Sequence, residues 1–571
     1  MRVGGSRYFR ALCLPLFAAI LIAATLASHA STALPPPQTA ASENSFQSLD
    51  DILHYISDDW TGLKRSLTEC ATYQDVKTKG KPTLYLPADV SISPALAQMQ
   101  QRCHLQIKHL PANLSEEDAG KIQPAGLLYL ENPYVVPGGR FNEMYGWDSY
   151  FIIRGLLRDN HRDLAKGMVE NFFYEIQHYG GVLNANRTYY LGRSQPPFLS
   201  SMILAVYQAD RGAGHADLQW LARAYQFAAK DYDQWTKAPH LAGDTGLSRY
   251  FDEGNGPVPE IADDPTNYYR GVANFFLTHE GEKSAHLVMV GAKQSQAAAL
   301  PPVFNIEFCP PGAAKNQNAG CHQDRVELTA DFYKGDRSVR ESGFDISFRF
   351  GPYGANTHRF APVCLNSLLY KTEKDLEQMS TLLGHADQAR AWANKAAQRR
   401  EKIIKYFWNE HRGMFFDYNF ATGRQSTYDY ATTFYPLWVG LASDGQARAV
   451  DANLHVFEQP GGLAMSTHES GGQWDYPYGW APIHLLTVEG LRRYKFNADA
   501  DRISFKFLST VLQNFRREHT IREKYNVVSK SDVTHVIVGY HQNVIGFGWT
   551  NGTFLELLHE SPGLAARLKE E

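Results

Sequence analysis

The sequence predicts an all-α chain built as a closed ring of helical hairpins, an α/α barrel, and three observations carry that prediction. A helix opening at Pro482 places Ile483, Leu485, Leu486, Val488 and Leu491 around most of its circumference, so it belongs inside a protein. The stretch after it, Ala498 to Glu518, alternates Phe505, Leu508, Leu512 and Phe515 with charges, as an outer helix does. Clusters rich in aromatics, Arg and carboxylates fall between helical stretches rather than within them, which suits loops gathered at one end of a barrel.

Taken in order, residues 1–30 read as an address. Arg2, Arg7 and Arg10 precede the apolar stretch Ala11 to Leu26, and Ser28-His29-Ala30 has the form of a cleavage site. The apolar run falls short of the roughly 20 residues of a spanning helix, so a cleaved signal peptide is expected, with a secreted or periplasmic product and no stable membrane insertion. Residues 31–45, rich in Pro, Ala and Ser, read as a flexible lead-in. Phe46, Leu49, Leu53, Ile56, Trp60, Leu63 and Leu67 then recur at helical spacing behind caps at residues 48–51, and this helix closes near Cys70.

Further on, Leu164, Met168, Phe172 and Ile176 form an i+4 stripe, and Leu218, Leu221, Tyr225, Ala228, Tyr232 and Trp235 form another one-sided helix. Residues 281–336 break the pattern with β-branched runs and Pro-Pro and Asn-rich turns, and are expected as a small β-rich insertion. Leu376, Met379 and Leu383 run to a stop at Gly384, after which Ala389, Trp392, Ala396 and Ile403 start the second arm of an αα-hairpin.

Of the six cysteines, Cys13 would leave with the leader. Cys70 with Cys103 and Cys309 with Cys321 make two plausible disulfides, other pairings staying open, and Cys364 sits in an apolar run as a buried thiol. No C-x-x-C pair and no H-E-x-x-H is present, so no metal is expected. A formal charge of −4 and the lack of any dense Lys/Arg run argue against nucleic acid, and 13% aromatic content leans towards planar ligands. The chain is expected to work as a monomer on a small molecule.

Five clusters carry the chemistry. The first, residues 137–151, sets Arg140, Phe141, Glu143, Tyr145, Trp147 and Asp148 behind a Pro-Gly-Gly turn. Sugar rings need aromatic platforms for their C–H faces and Arg or carboxylate groups for their hydroxyls, and this stretch offers both. The others are residues 184–197, Arg340-Glu341-Ser342-Gly343-Phe344-Asp345, residues 473–482, and Glu523-Lys524-Tyr525 with residues 547–552. Each alone could be turns and caps; five in one chain point to a shared pocket.

PGGRFNEMYGWDSYF at residues 137–151 and QWDYPYGWAP at residues 473–482 resemble the two signature motifs of the trehalase family, and NANRTYYLGRSQPP, RESGFD, EKYNV and FGWTNG follow in the family's order. The resemblance implies an inverting α,α-trehalase on an (α/α)6 barrel, with residues 46–560 as one catalytic domain and neither cofactor nor metal. It assigns Asp345 as general acid and Glu523 as general base. Sugar contacts carry over to Arg140, Phe141, Trp147, Asp148, Asn184, Arg193, Ser194, Gln195, Glu260 and Gly343, with Trp474 and Tyr145 as ring platforms. The chemistry agrees: inverting hydrolysis needs one protonated carboxyl on the leaving oxygen and one carboxylate activating water on the opposite face.

Three departures stand out. Val258 occupies the place of a substrate-binding arginine, residues 538–542 replace a Gly-rich run ending in Glu-Tyr, and Phe344 replaces a Trp. A weakened or remodelled second sugar subsite is therefore expected, unless His541 or a residue of the 281–336 insertion restores the contact. The alternatives are an exo-acting α-glucosidase on another α-linked disaccharide and a non-catalytic sugar-binding relative.

Overall fold

In the computed structural model the described residues are 48–74, 81–112, 122–261, 265–279, 281, 285–290, 302–308 and 322–571. Helix α1 (Leu49–Leu63) starts in a capping box, in which Ser48 and Asp51 each accept the other's backbone N–H, and buries Ile52, Ile56, Trp60 and Leu63 on one face. Behind it a small parallel sheet, with β1 (Thr83–Leu86) between β2 (Gln106–His109) and β3 (Leu127–Leu128), flanks α2 (Pro94–Arg102). Cys103, which caps α2, is disulfide-bonded to Cys70.

The core is a ring of helices. α3 (Asp148–Arg158), followed by the outer α4 (Arg162–His178), packs on α5 (Leu199–Gly212), which is followed by the outer α6 (Leu218–Trp235). Two helices, α7 (Pro265–Thr278) and α8 (Ala330–Glu341), come before the next ring member, α9 (Val363–Leu382), with α10 (Ala386–Phe407) outside it. α11 (Tyr435–Trp438) packs on α9, and α12 (Asp444–Ala452) leads on to α13 (Ala481–Arg493) and its outer partner α14 (Asn497–Glu518). α15 (Gly548–Glu560) closes the ring by packing on both α13 and α3, with α1 and α16 (Pro562–Glu570) against it. The inner members are thus α3, α5, α9, α11, α13 and α15, each touching the next, and the expected barrel of six hairpins is the observed architecture.

Burial explains the sorting. α13 is buried continuously from Ala481 to Val488, whereas α10 buries only Trp392, Ala396, Arg399, Ile403 and Phe407, a stripe at helical spacing. The ring closes tightly where α3 meets α15: a Cβ on Gly552 would lie 2.1 Å from the carbonyl oxygen of Phe151, so only glycine lets these backbones touch.

The segment expected as a β-rich insertion contains an antiparallel sheet in which β6 (His322–Leu328) lies between β4 (Leu287–Met289) and β5 (Val303–Phe308). Its end differs from expectation. Thr329 caps α8 through the N–H of Phe332, so residues 330–336 are helical. Sheet, α7 and α8 share a second core of Val258, Tyr269, Phe276, Phe304, Val326 and Phe332. Cys364 is buried and free on α9, while the expected Cys309–Cys321 pair and residues 1–47 lie outside the described residues. Among the described residues no helix is long and apolar enough to cross a membrane.

Candidate active site

Each sequence cluster leads into an inner helix. Residues 137–147 lead into α3, 184–198 into α5, 343–362 into α9, 473–480 into α13 and 523–547 into α15. Outer helices return the chain between them, so these loops gather at the end of the ring where the inner helices begin.

The first cluster is stitched to its neighbours by backbone. Gly548 N–H donates to Pro137 O at 2.7 Å, Gly146 N–H to Asn184 O at 3.1 Å, and Asn184 N–H to Arg193 O at 2.8 Å. Glu143 and Arg187 form a buried ion pair at 2.6 Å, and Trp147 N–H donates to Gln195 Oε1 at 2.9 Å. The Trp147 ring is enclosed by Phe344, Trp549 and Trp474 at centroid distances of 5.5, 5.7 and 5.8 Å. Gly343 has φ +75°, and a Cβ there would meet the Trp147 ring at 2.9 Å, so both backbone and space demand glycine. Phe344, in place of a Trp, fills this aromatic floor.

Arg193 is buried and held by two acids, with Nε 2.6 Å from Asp252 and Nη1 2.5 Å from Glu260. Asp252 also takes Arg337 at 2.9 Å. Burial pushes the Glu260 carboxyl up, but Arg193 and Arg340 outweigh it and hold Glu260 below its ordinary range. Arg340, on the last turn of α8, lies 3.3 Å from Asp336 and 3.8 Å from Asp345. In the sequence Arg340 stands out only as part of a motif. Val258, expected to leave a gap in a sugar subsite, is fully buried in the second core, its N–H bonded to Tyr269 Oη.

Asp345 stands on a loop, and no helix follows it, so it caps nothing. Its side chain is 32% exposed. The QWD cluster holds this loop from behind: Gln473 Nε2 donates to Asp345 O, Trp474 N–H to Ile346 O at 3.3 Å, and buried Asp475 accepts from Ser347 Oγ at 3.0 Å and Phe348 N–H at 2.8 Å. Trp474 was expected as a sugar platform, yet it is 3% exposed and stacked at 3.8 Å on Trp480, so it belongs to the floor. Desolvation pushes the Asp345 carboxyl up to about 6 despite the opposing pull of Arg340.

Glu523 is buried opposite. A short strand pair, β7 (Tyr478–Trp480) with β8 (Lys524–Asn526), fixes its backbone, and Trp549 Nε1 donates to its carbonyl at 3.1 Å. Lys524 Nζ lies 2.9 Å from Oε2, and Tyr540 donates its hydroxyl to Oε1. Burial depresses the Lys524 ammonium, and Glu523 partly restores it. Arg522, the neighbour on the other side, turns away to Glu518 and Asp532.

Asp148, first residue of α3, is 5% exposed. Burial drives its carboxyl well above the usual range, and the charges of Glu523 and Asp345 push the same way. Three carboxyl groups, one from α3 and two from separate loops, thus lie within electrostatic reach of one another.

The remaining expected contacts divide. Arg140 is exposed at the rim, its guanidinium 5.1 Å from the Phe141 ring and 5.4 Å from that of Tyr540, and Tyr145 packs edge-on to Phe141 at 5.4 Å. Asn184 and Gln195 line the fold just behind. Ser194 is buried, with its hydroxyl donated to Val182 O. His541 is exposed and bonds back to Val536 O at 2.7 Å, so it does not enter the pocket. Tyr540, its neighbour, does, and nothing local in the sequence marks a pairing with a residue seventeen positions away.

The family model described as Trehalase matches residues 30–282 and 314–562. A cytosolic neutral trehalase of Saccharomyces cerevisiae is 35% identical over 87% of this chain and 69% of its own length, and one of Beauveria bassiana is 38% identical over 74% and 58%. The structure of neutral trehalase Nth1 from Saccharomyces cerevisiae matches with a TM-score of 0.72 at 32% identity, covering 90% of this chain and 96% of that one.

These relatives correct one expectation. The arginines and apolar run of residues 1–30 suggested a signal peptide and a secreted or periplasmic protein, whereas the relatives matched over most of the chain are named as cytosolic enzymes, which contradicts that expectation.

Proposed function

The chain belongs to the trehalase family, and we propose that it hydrolyses α,α-trehalose to two glucose molecules with inversion, Asp345 acting as general acid and Glu523 as general base. The observation that carries the reading is the pocket in which Asp345 and Glu523 both act on buried Asp148 while lying in opposite environments. Asp345 is pushed towards its protonated form, and Glu523 is met by a lysine and a tyrosine hydroxyl that stabilise the anion.

In the reaction Asp345 gives its proton to the glycosidic oxygen as that bond breaks. Glu523 takes a proton from a water molecule whose oxygen attacks the anomeric carbon from the other face. The attacked ring leaves as β-glucose and the other as α-glucose. Asp345 ends as a carboxylate 3.8 Å from the Arg340 guanidinium, which offsets the charge that develops there. Asp148, kept neutral by burial, can both donate to and accept from sugar hydroxyls. Arg340, Arg193 with Glu260, and the aromatic floor around Trp147 and Gly343 orient the rings, and the protein works as a monomer without a cofactor.

Incubating the purified protein with trehalose, kojibiose, nigerose and maltose tests this. Trehalose is expected to give the highest kcat/KM for glucose release. A clear preference for another disaccharide would favour the exo-acting α-glucosidase reading, and no release from any would leave a sugar-binding protein.

A further inference from the structure

Tyr540 sits in the segment between β8 and α15 that departs from the family pattern. Its hydroxyl donates to Glu523 Oε1 while Lys524 Nζ takes Oε2, so each oxygen of the carboxylate has one protein donor. The Tyr540 ring lies 5.4 Å from the Arg140 guanidinium and 4.4 Å from Lys524 Nζ, so two cations fix its plane. The loop itself is anchored elsewhere. Glu523 N–H donates to Val544 O at 3.0 Å, Asn543 Nδ2 to Lys524 O at 2.9 Å and to Asp532 O at 2.7 Å, and Gln473 N–H to Val538 O at 3.2 Å. The hydroxyl is therefore not what keeps the loop in place.

We propose that Tyr540 is a positioning residue for the base: with Lys524 it clamps the Glu523 carboxylate in one rotation, leaving a single free lone pair on each oxygen to face the attacking water. The proposal rests on Glu523 being the base. A carboxylate with only one fixed oxygen can turn about its last bond and present the wrong lone pair; one held at both oxygens cannot. The charged and titratable groups facing Glu523 are Lys524 from β8, Tyr540 from the following loop and Asp148 from α3, and Tyr540 in turn faces Arg140 and Asp345.

Tyr540→Phe keeps the ring over both cations and removes only the donor. Losing a hydrogen bond to a charged group should lower kcat about 10- to 100-fold, with KM for trehalose within about twofold of wild type and an unchanged melting temperature. Wild-type kcat in Tyr540→Phe would overturn the proposal, and so would a lower kcat accompanied by a raised KM or an earlier melting transition, which would mean altered loop packing. Glu523→Gln, measured alongside, separates the two levels: if it retains more than about a tenth of wild-type kcat, the base assignment itself fails, whatever Tyr540→Phe does.

Discussion

Helices α3, α13 and α15 border one charged cluster and carry a second further along, and the two are built differently. At the pocket end Asp148, Asp345 and Glu523 stand on or beside loops, with Asp148 and Asp345 pushed towards the protonated state. Six to twelve residues into the same helices, roughly 9–18 Å along their axes, Arg154, Glu489, Glu556 and Glu560 form the second cluster. There Arg154 lies 2.8 Å from Glu489 and 2.7 Å from Glu556, which also takes Arg158 at 2.9 Å. Burial raises the Glu556 carboxyl, but the two arginines outweigh it and hold it low, so the pairs tie the inner helices together. Even so, Glu560 is driven up to about 8 by burial and by Glu489. A displaced pKa therefore does not distinguish the working end. What does is carboxyl groups brought together from separate elements, with arginine near enough to Asp345 to steady a developing charge and too far to neutralise it.

If that contrast is right, substitutions at the pocket end change turnover and those at the far end change stability. The largest effect is expected from Asp345→Asn and Glu523→Gln, each lowering kcat at least about 10²-fold with the fold retained. Because Asp345 must hold its proton, kcat/KM should fall as pH rises through a basic limb near pH 6, the level to which its carboxyl is raised. The same raised value means that folding favours the protonated form, so the stability it confers is greatest at low pH and declines as pH rises past the unfolded value. Asp345→Asn should then melt no earlier than wild type at neutral pH. A variant that both loses activity and melts much earlier would break the comparison.

Val258→Arg comes next. Its side chain would enter a sealed apolar core, leaving a charge without a partner, and should cost about 3 kcal/mol or more in denaturant unfolding. Tighter trehalose binding with unchanged stability would return Val258 to the pocket wall. Glu556→Ala sharpens the far end: it strips Arg154 and Arg158 of their shared acid and should cost about 2–3 kcal/mol, between exposed and buried ion pairs, with kcat within about twofold of wild type.

Much of this was legible beforehand, for a physical reason. The stripes at 164–176 and 218–235 fall inside α4 and α6, and the hairpin around Gly384 inside α9 and α10, because one-sided burial leaves a local period in the sequence. The clusters before Asp148, Trp480 and Phe547 were legible as one site because sugar chemistry needs residue types that a core does not. What escaped was pairing across the ring. Nothing near Trp474 announces that Trp480 will stack on it, and nothing near Val258 tells that α7 and α8 enclose it. Likewise nothing near Arg340 tells that its guanidinium will lie 3.8 Å from Asp345.

The central claim is a direct displacement in which Asp345 donates the proton and Glu523 activates the water. Proton NMR of trehalose hydrolysis, read before the anomers interconvert, tests it most directly. Equal amounts of β-glucose and α-glucose are expected at the earliest times, one from the attacked ring and one from the leaving ring. Release of α-glucose alone would mean retention through a covalent intermediate and would contradict the role of Glu523.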